Sequence, residues 1–383
     1  MILQGQNLIV FYIAFLFFAV VLSAAFNQML IHFSKTLGVK NHDVTIVRWS
    51  TTSKPALGGI SFFLVFLLSA ITYMLISDYE GQKFWNNIPF LGLLASTGIA
   101  FFMGLSDDAY NTKPMLKFFV QIFCGLVLIG TGTYIQLFES QAANYILTLF
   151  WVVGLMNSIN MLDNMDGITT IVSVFIILEV LMLIYLKNQI YNLDTIILIG
   201  VAGALIGFLF HNWYPSKMFM GDTGSQFLGV FLAAIGIKYF WNFDGTATLS
   251  TNFYLKISLP LVAFALPIID TTTVTINRIM RGQPPYVGGK DHTTHALSYL
   301  GLKDNQVGWV FLGLSLLCFL VISFSIAFVE KWTWIHALAV FTFFVSLFGI
   351  MFYFTKVRKV DVQVKKSYIL AQSQSKSQSK VVG

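Results

Sequence analysis

PFLGLLASTGIAFFMGLSDDAYNTKPMLK, residues 89–117, decides the fold. No charge interrupts Pro89 to Ser106; the run then ends on Asp107 and Asp108, with Lys113 and Lys117 close behind. As a helix the apolar part rises about 27 Å, close to the roughly 30 Å of a bilayer's hydrocarbon. A helix of a soluble domain would break this run with polar residues on its solvent face. The segment therefore reads as a membrane span that delivers two carboxylates to one membrane face.

The rest of the 383 residues repeats the pattern, being 56% hydrophobic and only 10% charged. A soluble fold of this size carries more Asp, Glu, Lys and Arg. Apolar stretches fall at 7–31, 56–77, 89–106, 114–132, 145–162, 167–186, 195–211, 223–241, 253–272, 306–329 and 333–354. They predict an all-α polytopic integral membrane protein with ten or eleven transmembrane helices, the weakest stretches being 145–162 and 195–211. Residues 1–355 form the membrane domain, and 356–383 a polar, basic tail too poor in apolar residues to fold alone.

Charge orients the spans. The loops 32–55, 107–117, 212–222 and 273–305, with the tail, hold 18 of the 23 Lys and Arg residues. Lys83, Lys187, Lys238, Lys256 and Lys331 are scattered singly on the other side. The positive-inside rule puts the basic loops in the cytoplasm, giving a multi-pass protein of the cell inner membrane with its N-terminus outside and its tail inside. The formal charge of +6 then answers an anionic lipid surface rather than nucleic acid. The first stretch lacks a basic n-region and a small-residue cleavage pattern, so it reads as a retained helix. Cys124 and Cys318 sit in separate apolar spans without metal-type spacing and read as packing residues.

Four polar clusters share the basic side. Asp107 and Asp108 repel each other, and such a pair persists best beside solvent, a metal or a basic neighbour. Asn157, Asn160, Asp163 and Asp166 are spaced three apart, which lets them line one wall of a cavity from a helix. Asp222 stands between Gly221 and Gly224 just before an apolar span, where a helix N-terminus favours an anion, with Asn212 ten residues earlier. The longest basic loop brings Arg278, Arg281, Lys290, Asp291, His292 and His295. Taken alone, each cluster also reads as a solvated loop or a plain helix cap. Taken together, carboxylates at four helix ends ask for a divalent cation. Oxygen ligands suit magnesium better than zinc, and a magnesium ion with Arg and His neutralises a diphosphate, which points to phosphoryl transfer. Glu179 and, less deeply, Lys256 stand out as mid-span ionisable residues without an assigned part.

The segments SKPALGGI (53–60), SDD (106–108), NSINMLDNMDG (157–167), FMGDTGS (219–225) and GKDHTTH (289–295), in that order on one side of the membrane, resemble the polyprenyl-phosphate N-acetylhexosamine-1-phosphate transferases. The resemblance runs through nearly the whole membrane portion. It implies ten or eleven helices around an inner-face catalytic cleft. It also implies transfer of a sugar 1-phosphate from a UDP-HexNAc donor to undecaprenyl phosphate, with Mg2+ (or Mn2+ in its place) and release of UMP. Membrane lipid is the medium, and a homodimer is a possible assembly. Carried over, Asp222 is the magnesium ligand and Asn212 its neighbour, while Asp107 and Asp108 act on or position the lipid phosphate. Asp163 and Asp166 contact the nucleotide, with Asn157 and Asn160 on the same wall, and Phe219 stacks on the uracil. His292 and His295 match the outer histidines of the loop that faces the diphosphate, and Lys117 is the basic group after the acidic pair; Arg281 of the same loop supplies charge by its own residue chemistry.

The chain departs from the family pattern in three places. Thr294 stands where the non-translocase branch often has a histidine, Asn164 where the translocase branch tends to have glycine, and Arg48 and Lys54 are both out of register for the basic residue of the first loop. Without the compact triple histidine of the phospho-MurNAc-pentapeptide enzyme, the loop points toward UDP-GlcNAc or a similar HexNAc donor. Phospho-MurNAc-pentapeptide transfer, and a transporter of nucleotide or lipid, are the alternatives. For the chemistry, direct attack of the lipid phosphate is simpler than a covalent aspartyl intermediate, because that phosphate is already anionic near neutral pH.

Overall fold

All eleven apolar stretches are helical in the computed structural model, which describes residues 6–36, 54–79, 84–189, 194–246, 249–285 and 288–379. In lipid a backbone must satisfy its own N–H and C=O groups, and a helix does so within one segment. The order is α1 (Gln6–Thr36), α2 (Gly58–Tyr79), α3 (Ile88–Tyr110), α4 (Pro114–Gly130), α5 (Gln141–Leu162), α6 (Ile168–Leu186), α7 (Asp194–Asn212) and α8 (Gly221–Gly236). Then come α9 (Phe253–Ala263), α10 (Ala265–Ile279), α11 (Thr293–Tyr299), α12 (Asp304–Phe328) and α13 (Trp334–Ser379). Among the described residues there is no β-sheet, only an isolated bridge between Ser250 and Lys331. Arg48, Lys83 and most of the first basic loop lie outside the described residues.

Eight described helices are long and apolar enough to cross a membrane, and nine if one bent pair counts as a single span. The sequence expectation of ten or eleven is thus met only in part, for three physical reasons. Helix α4 has 17 residues, about 26 Å of rise and short of the hydrocarbon thickness. Helix α8 has 16 residues and runs on as a π-turn, Ile237–Trp241. The stretch 253–272 is broken between α9 and α10 by a 73° bend, with Pro260 inside α9. Proline withdraws a backbone donor and clashes with the preceding turn.

The short helix is also the central one. Every side chain of α8 from Thr223 to Gly236 is buried, the mark of a helix that is walled on all sides. It packs against α2, α3, α5 and α6. Phe63 and Phe66 of α2 meet Phe227 edge-on at 5.9 and 5.3 Å between ring centroids, an arrangement favoured by the ring quadrupoles. Capping sets where the neighbours begin and end. The Asn87 side chain accepts from Phe90 N at the start of α3, and Asn111 ends it in the left-handed conformation with its N–H on Asp107 O. The C-terminal ends of α3, α5 and α7 and the N-terminal ends of α4, α6 and α8 therefore meet at one end of the bundle.

Candidate active site

Three carboxylates and one ammonium form the centre of that end. Lys117 Nζ, in the first turn of α4, lies 2.5 Å from Asp107 Oδ2 and 2.6 Å from Asp222 Oδ2. Asn160 of α5 donates to Asp222 Oδ1 at 3.0 Å and to Ser225 Oγ at 2.8 Å. Asp108 is committed differently. Its carboxylate accepts from Asp222 N (2.9 Å), Thr223 N (2.9 Å) and Thr223 Oγ1 (2.6 Å), so it caps the start of α8. This contact needs glycine twice. A Cβ on Gly104 would come within 2.3 Å of Asp222 O. Gly221 has φ +74° and would set a Cβ 2.6 Å from Asp108 Oδ2.

The first loop and the start of α8 are strapped together by main chain. Phe219 N donates to Pro55 O (2.9 Å), Gly58 N to Phe219 O (3.1 Å) and Gly59 N to Met220 O (3.0 Å). The strap brings Lys54 to the site, although its register in the sequence left it unassigned. Lys54 Nζ donates to Ser216 Oγ at 2.9 Å, lies 3.6 Å from Asp166 Oδ2 and sits 5.1 Å from the centroid of the Phe219 ring. Asp166 also accepts from Ser216 N (2.9 Å) and Oγ (2.8 Å).

The run spaced by three does not stay on one helical wall. Helix α5 ends at Leu162, Asp163 is its C-cap, and Asp166 lies in the turn beyond. Asn157 sits one turn deeper, where it donates to Gln121 Oε1 at 2.8 Å; Gln121 in turn reaches Gln226 Oε1 at 3.2 Å. Asn212 is a buried brace. It accepts from Gly167 N (3.0 Å) and Thr170 Oγ1 (3.2 Å) and donates to Met218 O (3.0 Å).

The histidine loop forms the second half. His292 Nδ1 donates to the fully buried Asp270 Oδ2 at 2.8 Å, while Asp270 Oδ1 accepts from Thr293 N (2.8 Å) and Oγ1 (2.6 Å). His295, also buried, sets its ring edge-on to His292 at 5.3 Å. Arg278 makes a two-pronged contact with Asp291, at 3.2 Å from Nε and 2.8 Å from Nη2, and Arg281 pairs with the same carboxylate. Burial pushes the Asp291 carboxyl up, but the hydrogen bonds and charges of Arg278 and Arg281, with His292 beyond, win and hold it down at about 2. Thr294 donates to Asn164 Oδ1, which joins this loop to the end of α5 and so to the acidic centre.

Asp270, Gln121 and Ser216 carry these contacts without having been marked in the sequence, whereas Thr223 had been read there as a cap of the helix it begins. For Asp270 a signal was there: a carboxylate inside an apolar stretch is as conspicuous as Glu179. Lys256 proves shallower than its sequence position suggests. It lies in the first turn of α9, half-buried, with Nζ 3.4 Å from Gln136 O. Cys124 and Cys318 are buried and unbridged.

Among the described residues no three His, Cys, Asp or Glu side chains converge to hold a metal ion. The donor chemistry still suits a hard cation, since oxygens dominate and the Lys117 ammonium already occupies the gap between Asp107 and Asp222. A cavity of about 50 Å³ lies at the opposite end of α3, α7 and α8, and one of about 10 Å³ lies beside Glu179. Neither is lined by the acidic centre.

The helices define a multi-pass integral membrane protein, and its sequence is homologous to the polyprenyl-phosphate sugar-1-phosphate transferases, across both the GlcNAc-1-phosphate and the MurNAc-pentapeptide branches. Residues 90–240 match Glycosyl transferase family 4, a span that contains the acidic centre and stops short of the histidine loop. Similarity to the "Probable undecaprenyl-phosphate N-acetylglucosaminyl 1-phosphate transferase" of Bacillus subtilis (strain 168) is 28% identity over 261 residues, 66% of this chain and 68% of that protein. The "Decaprenyl-phosphate N-acetylglucosaminephosphotransferase" of Mycobacterium tuberculosis (strain CDC 1551 / Oshkosh) is 26% identical over 67% of this chain and 68% of its own. A "Phospho-N-acetylmuramoyl-pentapeptide-transferase" of Streptococcus agalactiae serotype Ia is 31% identical over 52% of this chain and 64% of its own. This homology supports enzymatic activity, and at the family level the transfer of a sugar 1-phosphate to a polyprenyl phosphate.

Proposed function

We propose that the chain transfers GlcNAc-1-phosphate from UDP-GlcNAc to undecaprenyl phosphate, forming the lipid diphosphate sugar and UMP, as the first step of a cell-surface polysaccharide. The observation that carries this reading is the pairing of an acidic centre (Asp107, Asp108, Asp222) with a cationic loop (Arg278, Arg281, His292) through the end of α5. The acidic half draws a metal, and the cationic half draws the diphosphate that such a metal accompanies. The active face is cytoplasmic on this reading, where UDP-sugars reside. Counting α4, α8 and the α9–α10 pair as spans restores eleven, with the N-terminus outside.

Asp222 would hold a magnesium ion, with Asp107 beside it once Lys117 swings aside. When bound, the ion supplies charge neutralisation for the donor diphosphate. The protein's own groups then divide the work. Lys117, released from its two carboxylates, faces the incoming lipid phosphate. Asp108 holds the α8 N-terminus and thereby sets Asp222. Lys54, Asp166 and Phe219 form the wall for the nucleotide. His292, fixed through Nδ1 by Asp270, keeps Nε2 for a phosphate oxygen. Direct attack of the lipid phosphate on the β-phosphorus of the donor fits the crowding of Asp107 and Asp108 by existing partners better than attack by either carboxylate.

Purified protein in detergent, supplied with undecaprenyl phosphate, magnesium and separately labelled UDP-HexNAc donors, tests the reading. Labelled lipid from UDP-GlcNAc with release of UMP, absent with Asp222→Ala, is the expected result. Label from UDP-MurNAc-pentapeptide instead would move the chain to the other branch. Uptake of nucleotide into vesicles without lipid product would make it a transporter.

A further inference from the structure

None of the chemistry above uses Glu179, which lies in the middle of α6 and is 1% exposed. An unpaired carboxylate at that depth is strongly disfavoured. Glu179 borders a chamber of about 10 Å³, together with Ser315 and Cys318 of α12 and with Ala263 and Leu266, which flank the α9–α10 break. Ser315 and Cys318 are each 3% exposed. Oε2 of Glu179 and Oγ of Ser315 have no hydrogen-bond partner in the protein. No lysine, arginine or histidine lines the chamber.

Three occupants can be compared. A bare metal cation wants about six oxygen ligands, and only two lining side chains offer any. An ionised carboxylate alone would lack every compensation. A neutral carboxylic acid needs one acceptor for its O–H, and a water in turn needs about two to four polar partners and roughly 10–15 Å³. The chamber meets the volume requirement at its lower edge, and its two orphaned oxygens supply the partners.

We propose that Glu179 and Ser315 form a mid-membrane binding site for one proton and one water molecule, the neutral acid donating to the water and the water donating to Ser315. The site backs the α9–α10 break. Leu266, on its wall, lies one turn before Asp270, the residue that orients His292. The proton and water thus act as a filled wedge behind a positioning residue. The inference stands whether or not the transferase reading does, because it is read without substrate.

Infrared difference spectroscopy of the purified full chain at neutral pH, wild type against Glu179→Gln, is the test. The expected result is a hydrogen-bonded carboxylic-acid C=O band that shifts in 2H2O and is missing from Glu179→Gln, with the two proteins melting within a few degrees of each other. Carboxylate bands in place of the acid band would overturn the proton. An acid band at the frequency of a carboxylic acid whose O–H has no acceptor would overturn the water. Should Glu179→Gln fail to fold, Ser315→Ala carries the test: the same band must move, and an unmoved band overturns the site.

Discussion

The two halves of the site are built from opposite charge and by opposite means. In the acidic centre two carboxylates share one lysine while the third caps α8, and the groups hang on the ends of four helices. In the histidine loop two arginines share one carboxylate, and a fully buried aspartate of α10 fixes the imidazole from behind. The first half has an excess of acceptors and the second an excess of donors. On the proposed function, a site polarised in this way would attract a cation at one end and an anion at the other, and neither half alone would hold a metal–diphosphate pair. The acidic half is tied mainly by backbone and glycine contacts, whereas the loop half is held mainly by side-chain bridges.

Removing the acidic anchor should have the largest effect. Asp222→Asn is expected to lower transfer by about 10²–10³-fold or more, the scale of losing one charge-stabilising group; near-normal turnover would erase the distinction between the halves. The loop half comes next. Asp270→Asn should cost about 10–100-fold, as other supporting partners of a histidine do, and should shift the pH profile. An unchanged profile would mean that Asp270 only packs. Lys54→Met should raise the KM for the nucleotide donor about five-fold with kcat little changed, through loss of a cation over Phe219. A change confined to kcat would take Lys54 off the nucleotide wall.

The last effect is one of stability. With its carboxyl held at about 2 against an ordinary 3.8, Asp291 is deprotonated more readily in the folded state. The resulting stabilisation, about 2 kcal/mol, is present above pH 4 and is lost as pH falls toward 2. Thermal melts of wild type should therefore fall more steeply over that window than those of Asp291→Asn, and parallel curves would show the bridges to be idle.

Much of this was legible in the residues. Apolar length marked the membrane helices but neither α11 nor the run of α13 through the polar tail to Ser379, and the crowding of aspartates at run ends marked the acidic centre, because both are local properties of the chain. The span count was less legible. Helix α8 is short because its helical run passes into a π-turn at Ile237, and the α9–α10 stretch breaks at a place that an apolar average conceals. The second row of partners was hidden as well. Asp270 reads as one acid in an apolar run, and only folding sets it against His292. Lys54 is out of register on paper, yet the main-chain pairing of residues 55–59 with 219–220 places it over Phe219.

That pairing also governs when the protein can become whole. Lys54 and Ser216 are 162 positions apart, so the strap cannot close until more than half of the chain has left the ribosome. Until then the N–H groups of Gly58 and Gly59 lack the carbonyls they meet in the finished protein, and an unmatched N–H is costly near lipid. Asp108 likewise waits for Asp222 and Thr223. On that ground the early helices would be inserted before they are assembled, and closure of the strap would mark the end of that interval. A chain interrupted before residue 219 would keep its early spans and have no active centre.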